Sequence, residues 1–186
     1  MECGRYTVNV TLDPETAHPN LILSKDRKSV RRGNTRQNVP DTPQRFDDDP
    51  CLLGSEGFTS GRHYWEVEVL VEVGDDRFCI LGVCKESVRR KGRITVSPGQ
   101  GFWTMQLSYL IGYFALTSPV TQLPLRERLR AVGILLDYEA GKVSFYDADN
   151  KSHLFTFTDS FTGKLRPFLW SNSNFPLRIR QVSAWN

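Results

Sequence analysis

The residues able to do chemistry are few, and their spacing is poor for it. Four cysteines occur, Cys3, Cys51, Cys79 and Cys84. Zinc sites draw on ligand pairs about two to four residues apart. Cys79-x4-Cys84 is a single such pair, lying inside an apolar run, with no second pair and no paired histidine. A disulfide scaffold of this length would be denser in cysteine. The thiols are therefore expected to be buried and free in a reducing compartment, and no metal is expected. The histidines are His18, His63 and His153. His63 sits in a strand pattern and reads as packed or capping rather than as a base. There is no Gly-x-Ser-x-Gly elbow, no His-Glu-x-x-His and no phosphate loop; Gly99-Gln100-Gly101 is only a glycine pair in a turn. Asp137 and Glu139 flank a short turn, where carboxylates ordinarily bond to backbone. Neither catalysis nor a cofactor is expected.

Charge points the same way. The chain has 24 basic and 21 acidic residues, a formal net charge of +3. The run Arg89-Arg90-Lys91-Gly92-Arg93, with Lys28, Arg31 and Arg32, is the candidate for phosphate neutralisation. It lacks interleaved aromatics for base stacking, and the overall surplus is small. It reads as a solvated hairpin, and no nucleic-acid partner is expected.

The elements that position these residues are strands. At 186 residues the chain fits one large domain, and 39% hydrophobic content is globular. No apolar run approaches the roughly 20 residues of a membrane span. The N-terminus shows no apolar leader, so a cytoplasmic location is expected and the sequons at Asn9 and Asn150 read as chance matches. His63-Tyr64-Trp65-Glu66-Val67-Glu68-Val69 alternates at period two, which places Trp65, Val67 and Val69 on one face and the glutamates on the other. Phe78 to Val83 is apolar throughout, the pattern of a central strand buried on both faces. Residues 101–107, 131–138, 142–146, 153–157, 166–170 and 176–180 are further strands, with Glu139-Ala140-Gly141 as a hairpin loop. The first fifty residues are turn-rich, with the apolar patch Leu21-Ile22-Leu23. Leu12 to Ala17 predicts one helical turn, Asp13 as N-cap and Pro14 at the first helical position. Regular strands separated by turns imply an all-β, two-sheet antiparallel β-sandwich, with short helical turns near the N-terminus.

The ordered motifs carry a family resemblance over nearly the whole chain. Val10-Thr11-Leu12-Asp13-Pro14, Leu21-Ile22-Leu23-Ser24 and Pro43-Gln44-Arg45-Phe46 come first. Gly61-Arg62-His63-Tyr64-Trp65-Glu66-Val67-Glu68-Val69, Leu81-Gly82-Val83-Cys84 and Gly101-Phe102-Trp103-Thr104 follow. Leu136-Asp137-Tyr138-Glu139-Ala140-Gly141, Ser144-Phe145-Tyr146 and Leu165-Arg166-Pro167-Phe168 complete the set. The chain resembles the PRYSPRY domain of tripartite-motif ubiquitin ligases, butyrophilins and pyrin. The resemblance divides it into a PRY segment, residues 8–60, and a SPRY segment, residues 61–183, together one domain. It implies a jelly-roll sandwich that recognises another protein or peptide through variable loops at one edge, as the target-binding module of a tripartite-motif-like protein. The competing expectations are a weak homodimer through exposed strand edges and a butyrophilin-like sensing domain inside a receptor.

Departures from the family pattern mark the candidate site, because loops vary without unfolding sheets. The segment between Val69 and Phe78 is longer than usual, with Gly74-Asp75 at its tip, and Cys79 stands where the family carries Trp. Asp75, Asp76, Arg77 and Ile80 are candidate contacts there. After Gln106 and Leu107 the family's polar turn is replaced by Ser108-Tyr109-Leu110-Ile111. Three large apolar residues in a row either fold back onto the sandwich or form an exposed patch, which would mark a partner site. The third segment, residues 170–175, mixes rigid anchors, Trp170 and Phe175, with adaptable hydrogen bonders, Asn172 among them; the alternative for both aromatics is plain core. The resemblance places the three loops together. Some butyrophilin-like members bind phosphorylated small molecules on this surface. His63 and Tyr64 match them, but their basic positions hold Ile80, Gly112 and Phe114 here, so no such binding is expected. The contacts of the antibody-binding member fall on Ile80, Gln106 and Ser108, so no binding to immunoglobulin Fc is expected either.

Overall fold

The computed structural model describes residues 3–70, 77–125 and 127–182. After a 3-10 turn at Cys3–Tyr6, the strands run β1 Leu21–Leu23, β2 Ser29–Arg32, β3 Cys51–Leu53, β4 Arg62–Val69 and β5 Phe78–Lys85. A 3-10 turn at Pro98–Gln100 precedes β6 Phe102–Ser108, β7 Gly112–Ala115, β8 Thr121–Leu123 and β9 Ala131–Asp137. The last strands are β10 Lys142–Asp147, β11 His153–Thr158, β12 Leu165–Ser171 and β13 Leu177–Arg180. They form two antiparallel sheets, one in the order β1-β2-β13-β4-β9-β10-β11 and one in the order β3-β12-β5-β6-β7-β8. The sandwich expected from the strand pattern is present. Strands from the first sixty residues pair with later ones in both sheets, β2 with β13 and β3 with β12.

The core between the sheets follows from strand alternation. Trp65, Val67 and Val69 of β4, with Phe145 of β10 in the same sheet, pack against Cys79, Leu81 and Val83 of β5 and Trp103, Met105 and Leu107 of β6 in the other. Trp65, Trp103 and Phe145 are essentially fully buried, and each such side chain contributes about 1.5–3 kcal/mol relative to exposure. The β9–β10 hairpin turns at Gly141, whose φ of +68° suits glycine and whose position leaves no room for a Cβ beside the Asp159 carbonyl. Asp137 and Glu139 serve that turn and its neighbour: Ala140 N–H donates to Asp137 Oδ1 at 3.2 Å and Gly61 N–H to the Glu139 carboxylate at 2.9 Å.

The six-stranded sheet is covered on its outer face as well. Phe46, Val88, Ile94 and Val96 pack with Cys51, Leu53, Ile80, Cys84, Phe102 and Phe168 into a second apolar cluster. This explains why β5 is apolar throughout rather than alternating. The two covering segments are stitched to each other by the basic run. Arg90 donates to the Gln44 and Glu86 carbonyls and lies over the Phe46 ring, and Lys91 bonds to the Arg45 carbonyl and Asp41. The reading of residues 89–93 as a solvated hairpin is thus corrected at Arg90, which is 9% exposed, and at Lys91; Arg89 and Arg93 are exposed. Acceptors more than forty residues away drew these cations inward.

The helical turn expected at residues 12–17 is also corrected. Residues 14–16 form a hydrogen-bonded turn without helix. Asp13 does cap it, its Oδ1 accepting Glu15 N–H at 2.9 Å, but its carbonyl takes both the N–H and the hydroxyl of Thr16, which closes the turn. The four cysteines are free and buried. Burial pushes the Cys79 and Cys84 thiols up to about 12, so neither supplies a thiolate near neutral pH.

His18 gives this turn-rich region a pH dependence. It is 7% exposed, and its Nδ1 accepts the Asn20 N–H at 3.0 Å. Burial first, then Arg36 and Arg32, lower its pKa. An unfolded histidine titrates near about 6.5. With the folded pKa lower, the stability from neutral His18 is complete above about pH 6.5 and is lost as pH falls through the folded pKa. The melting temperature is expected to drop between about pH 7 and pH 5, and His18→Asn, which keeps an acceptor, to flatten that drop. Parallel curves for the two proteins would assign the drop to other groups.

Candidate functional site

Strand register brings several loops to one end of the sandwich. Ser171 pairs with Cys79, Phe78 with Ser108, and Ser108 with Gly112, so β12, β5, β6 and β7 open side by side. On the other sheet Leu177 pairs with Val69 and Glu68 with Ala131. The segments following β4, β6, β8 and β12 therefore leave the same edge. Asp75 and Asp76 lie outside the described residues, as does the tip at Gly74-Asp75.

The remaining candidate residues divide sharply by exposure. Tyr109, Leu110 and Ile111 are 36%, 60% and 63% exposed, which decides their open alternative in favour of a surface patch. Leu70 is exposed at the same end, so four of the five large exposed apolar side chains among the described residues gather there; Val120 is the fifth. Ser108 is buried, and its Oγ accepts the Ile111 N–H at 3.2 Å, anchoring the turn from beneath. Ile80 is buried in the outer cluster. Neither presents a surface to a partner. Both stand at positions that correspond to contacts in the antibody-binding member, and here they are buried.

Arg77 is exposed and Gln106 half-buried. Gln106 lies in a row that crosses the outer face from Trp170 through Ile80 and Gln106 to Phe114. Trp170 is half-buried with its ring 6.0 Å from that of Phe78, and Phe175 is half-buried. Each aromatic is thus part anchor and part surface. Asn172 is fixed from two sides: its N–H donates to the Phe78 carbonyl, and its Oδ1 accepts from Arg32. Arg32, Arg77, Asn172 and Asn174 line one polar recess.

His63 and Tyr64 sit elsewhere. They occupy the opposite end of β4 from Val69, His63 stacked on Phe58 and Tyr64 fully buried with its hydroxyl donating to Glu66 at 2.6 Å. Their match to the phosphate-binding pattern therefore adds nothing to the loop surface.

Arg128 and Arg130 escaped the sequence reading. Both are exposed at this end, and the Arg128 guanidinium lies over the Tyr109 ring at 4.9 Å. Leu129 between them is buried, with its N–H donating to the Tyr113 hydroxyl at 3.0 Å. Three residues, Arg128, Leu129 and Arg130, just before β9, are too few to show a period, so nothing in the sequence marked them. Nearby, Glu68 accepts from Arg178 at 2.7 Å and from Arg180 at 3.0 Å. Burial raises the pKa of its carboxyl, but these hydrogen bonds outweigh burial and hold it below the usual carboxylate range.

Two family models match the chain: the SPRY-associated domain, PRY, over residues 10–58, and the SPRY domain over residues 62–179. The chain belongs to the SPRY domain family. Human erythroid membrane-associated protein is 60% identical to this SPRY chain over 163 residues, 88% of the chain and 34% of that protein. Butyrophilin subfamily 1 member A1 of Bos taurus is 51% identical over 96% of the chain and 34% of its own length. Human zinc finger protein RFP is 52% identical over 90% of the chain and 32% of its own length. The chain spans about a third of these curated relatives. Among solved structures, the TRIM65 PSpry domain has a TM-score of 0.80 at 23% identity, covering 94% of this chain and 90% of that one. The stonustoxin structure also gives 0.80, at 26% identity, over 94% of this chain and 29% of that one. Both share the sandwich.

Proposed function

We propose that this SPRY domain is a non-catalytic recognition module that takes hold of another protein or peptide with the loops at this one end. The clustering of exposed Leu70, Tyr109, Leu110 and Ile111 carries the reading. A soluble domain ordinarily hides such residues or uses them, and burying each at an interface contributes on the order of 1.5–3 kcal/mol. Arg77, Asn172 and the half-buried Trp170 and Phe175 supply polar and aromatic contacts around the patch. The domain is the target-binding part of a longer protein, tripartite-motif-like or butyrophilin-like, and the ligase or receptor activity belongs to that whole. Its four buried free thiols suit the cytoplasm, whose reducing poise keeps cysteines unpaired.

The test is a pull-down from cell lysate read by mass spectrometry. It compares the domain with a Tyr109→Ser, Leu110→Ser, Ile111→Ser variant shown to be folded by its thermal melt. At least one protein is expected to be retained by the parent and lost by the variant. Identical captures would move the site away from these loops. Sedimentation of the parent at several concentrations reads out self-association through the same patch.

A further inference from the structure

A groove of about 920 Å³ opens beside these loops, on the side of the seven-stranded sheet. Leu70, Phe175 and Pro176 give it an apolar floor, and Arg128 and Arg130 stand at its wall. Its two carboxylates are already engaged: Glu68 by Arg178 and Arg180, and Asp149 by Arg180 at 3.0 Å. Arg128 and Arg130 differ. Among the described residues neither has a carboxylate within ion-pair distance, and Glu127 between Arg128 and the preceding loop pairs with neither. Tyr109 steadies the head of Arg128 from one side, and buried Leu129 fixes the backbone between the two arginines.

We propose that this groove receives a short acidic and apolar segment of a protein partner. An aliphatic or aromatic side chain sits on Leu70, Phe175 and Pro176, and a neighbouring carboxylate is held by Arg128 and Arg130. The proposal rests on the domain being a protein-recognition module and adds the chemistry of what it recognises. Guanidinium groups are suited to it because their planar fork matches a carboxylate with two parallel hydrogen bonds. Glu68 and Asp149 are taken up by Arg178 and Arg180, the latter also reaching Glu66 at 3.5 Å. Among the described residues of the groove, the guanidinium groups left without an ion-pair partner are therefore those of Arg128 and Arg130, although Glu127, Asp147 and Asp149 line the recess next to them.

The probe is a random peptide library displayed on phage and selected on the intact domain. Binding of recovered peptides is then measured by fluorescence polarisation to the parent, to Arg128→Glu/Arg130→Glu, and to the triple serine variant. Recovered peptides are expected to place Asp or Glu beside Leu, Ile or Phe more often than the unselected library. Charge reversal is expected to weaken them by about tenfold or more without lowering the melting temperature. Their affinity is expected to fall as salt rises, since exposed charges are screened. Peptides with no acidic bias, or with unchanged affinity for the charge-reversed protein, overturn the groove. If such peptides are lost only by the triple serine variant, the groove is wrong and loop recognition stands. Recovery of no peptide also overturns the groove, and the pull-down then separately decides the broader reading.

Discussion

Arg166→Leu is expected to lower the unfolding free energy by about 3 kcal/mol, read by urea denaturation. Arg166 is 7% exposed. Its Nε and Nη2 donate to the Gly54 carbonyl at 2.9 and 2.7 Å, Nη2 also to Asp13 Oδ2 at 2.8 Å, and Nη1 to Glu86 at 3.1 Å. One side chain on β12 thus ties the N-terminal turn, the residue following β3 and the residue following β5. Leucine strands the Gly54 carbonyl, takes the donor from Asp13 Oδ2 and leaves Glu86 with Arg90 as its remaining cation, and a stranded buried acceptor costs its full desolvation. Asp13 and Glu86 retain some access to water, which keeps the loss at the lower end of what breaking a buried pair costs. Arg166→Lys is expected to fall between, because one ammonium cannot reproduce the fork. A loss under about 1 kcal/mol for leucine would mean that water replaces the network without penalty.

The second large effect lies where β5 meets β6. A Cβ on Gly82 would stand 2.2 Å from the Trp103 carbonyl oxygen and 2.8 Å from Thr104 Cα. Both are backbone atoms of the neighbouring strand, so no side-chain rotation relieves the contact. Gly82→Ala must push β6 away from the middle of the six-stranded sheet and is expected to cost about 3 kcal/mol or more, by the same denaturation curve. Gly99→Ala is the control, since nothing lies within 4 Å of its Cβ position. It is expected to leave the midpoint in place or raise it slightly by stiffening the unfolded chain. Equal curves for the two variants would show that the sheet yields at Gly82.

The contrast between these glycines shows what the sequence can disclose. β4, β5, β9 and β10 are legible in it because they are six to eight residues long and either alternate strictly or stay apolar throughout. β2, β3, β7 and β8 have three or four residues each, too few for a period, and exist because a longer neighbour offers them hydrogen bonds. The loop end was legible as a place, through departures from the family pattern. Its chemistry was less so. Exposure at Leu110 and burial at Ile80 depend on what covers each residue, and Ile80 belongs to an outer cluster assembled from residues as distant in the chain as Phe46 and Phe168. Arg90 reads as a solvated charge for the same reason: its acceptor, the Gln44 carbonyl, is 46 residues away.

Ser108 has a consequence for how such a surface changes over generations. Its buried hydroxyl accepts the Ile111 amide, while Tyr109, Leu110 and Ile111 themselves stand outside the core clusters. Position and identity are therefore inherited separately at this turn. Mutation can rewrite the three tip residues at almost no cost in folding while the turn keeps its place. Novelty is cheap at the tip, and constancy is asked of the serine beneath it and of Gly112, whose φ of +124° closes the turn.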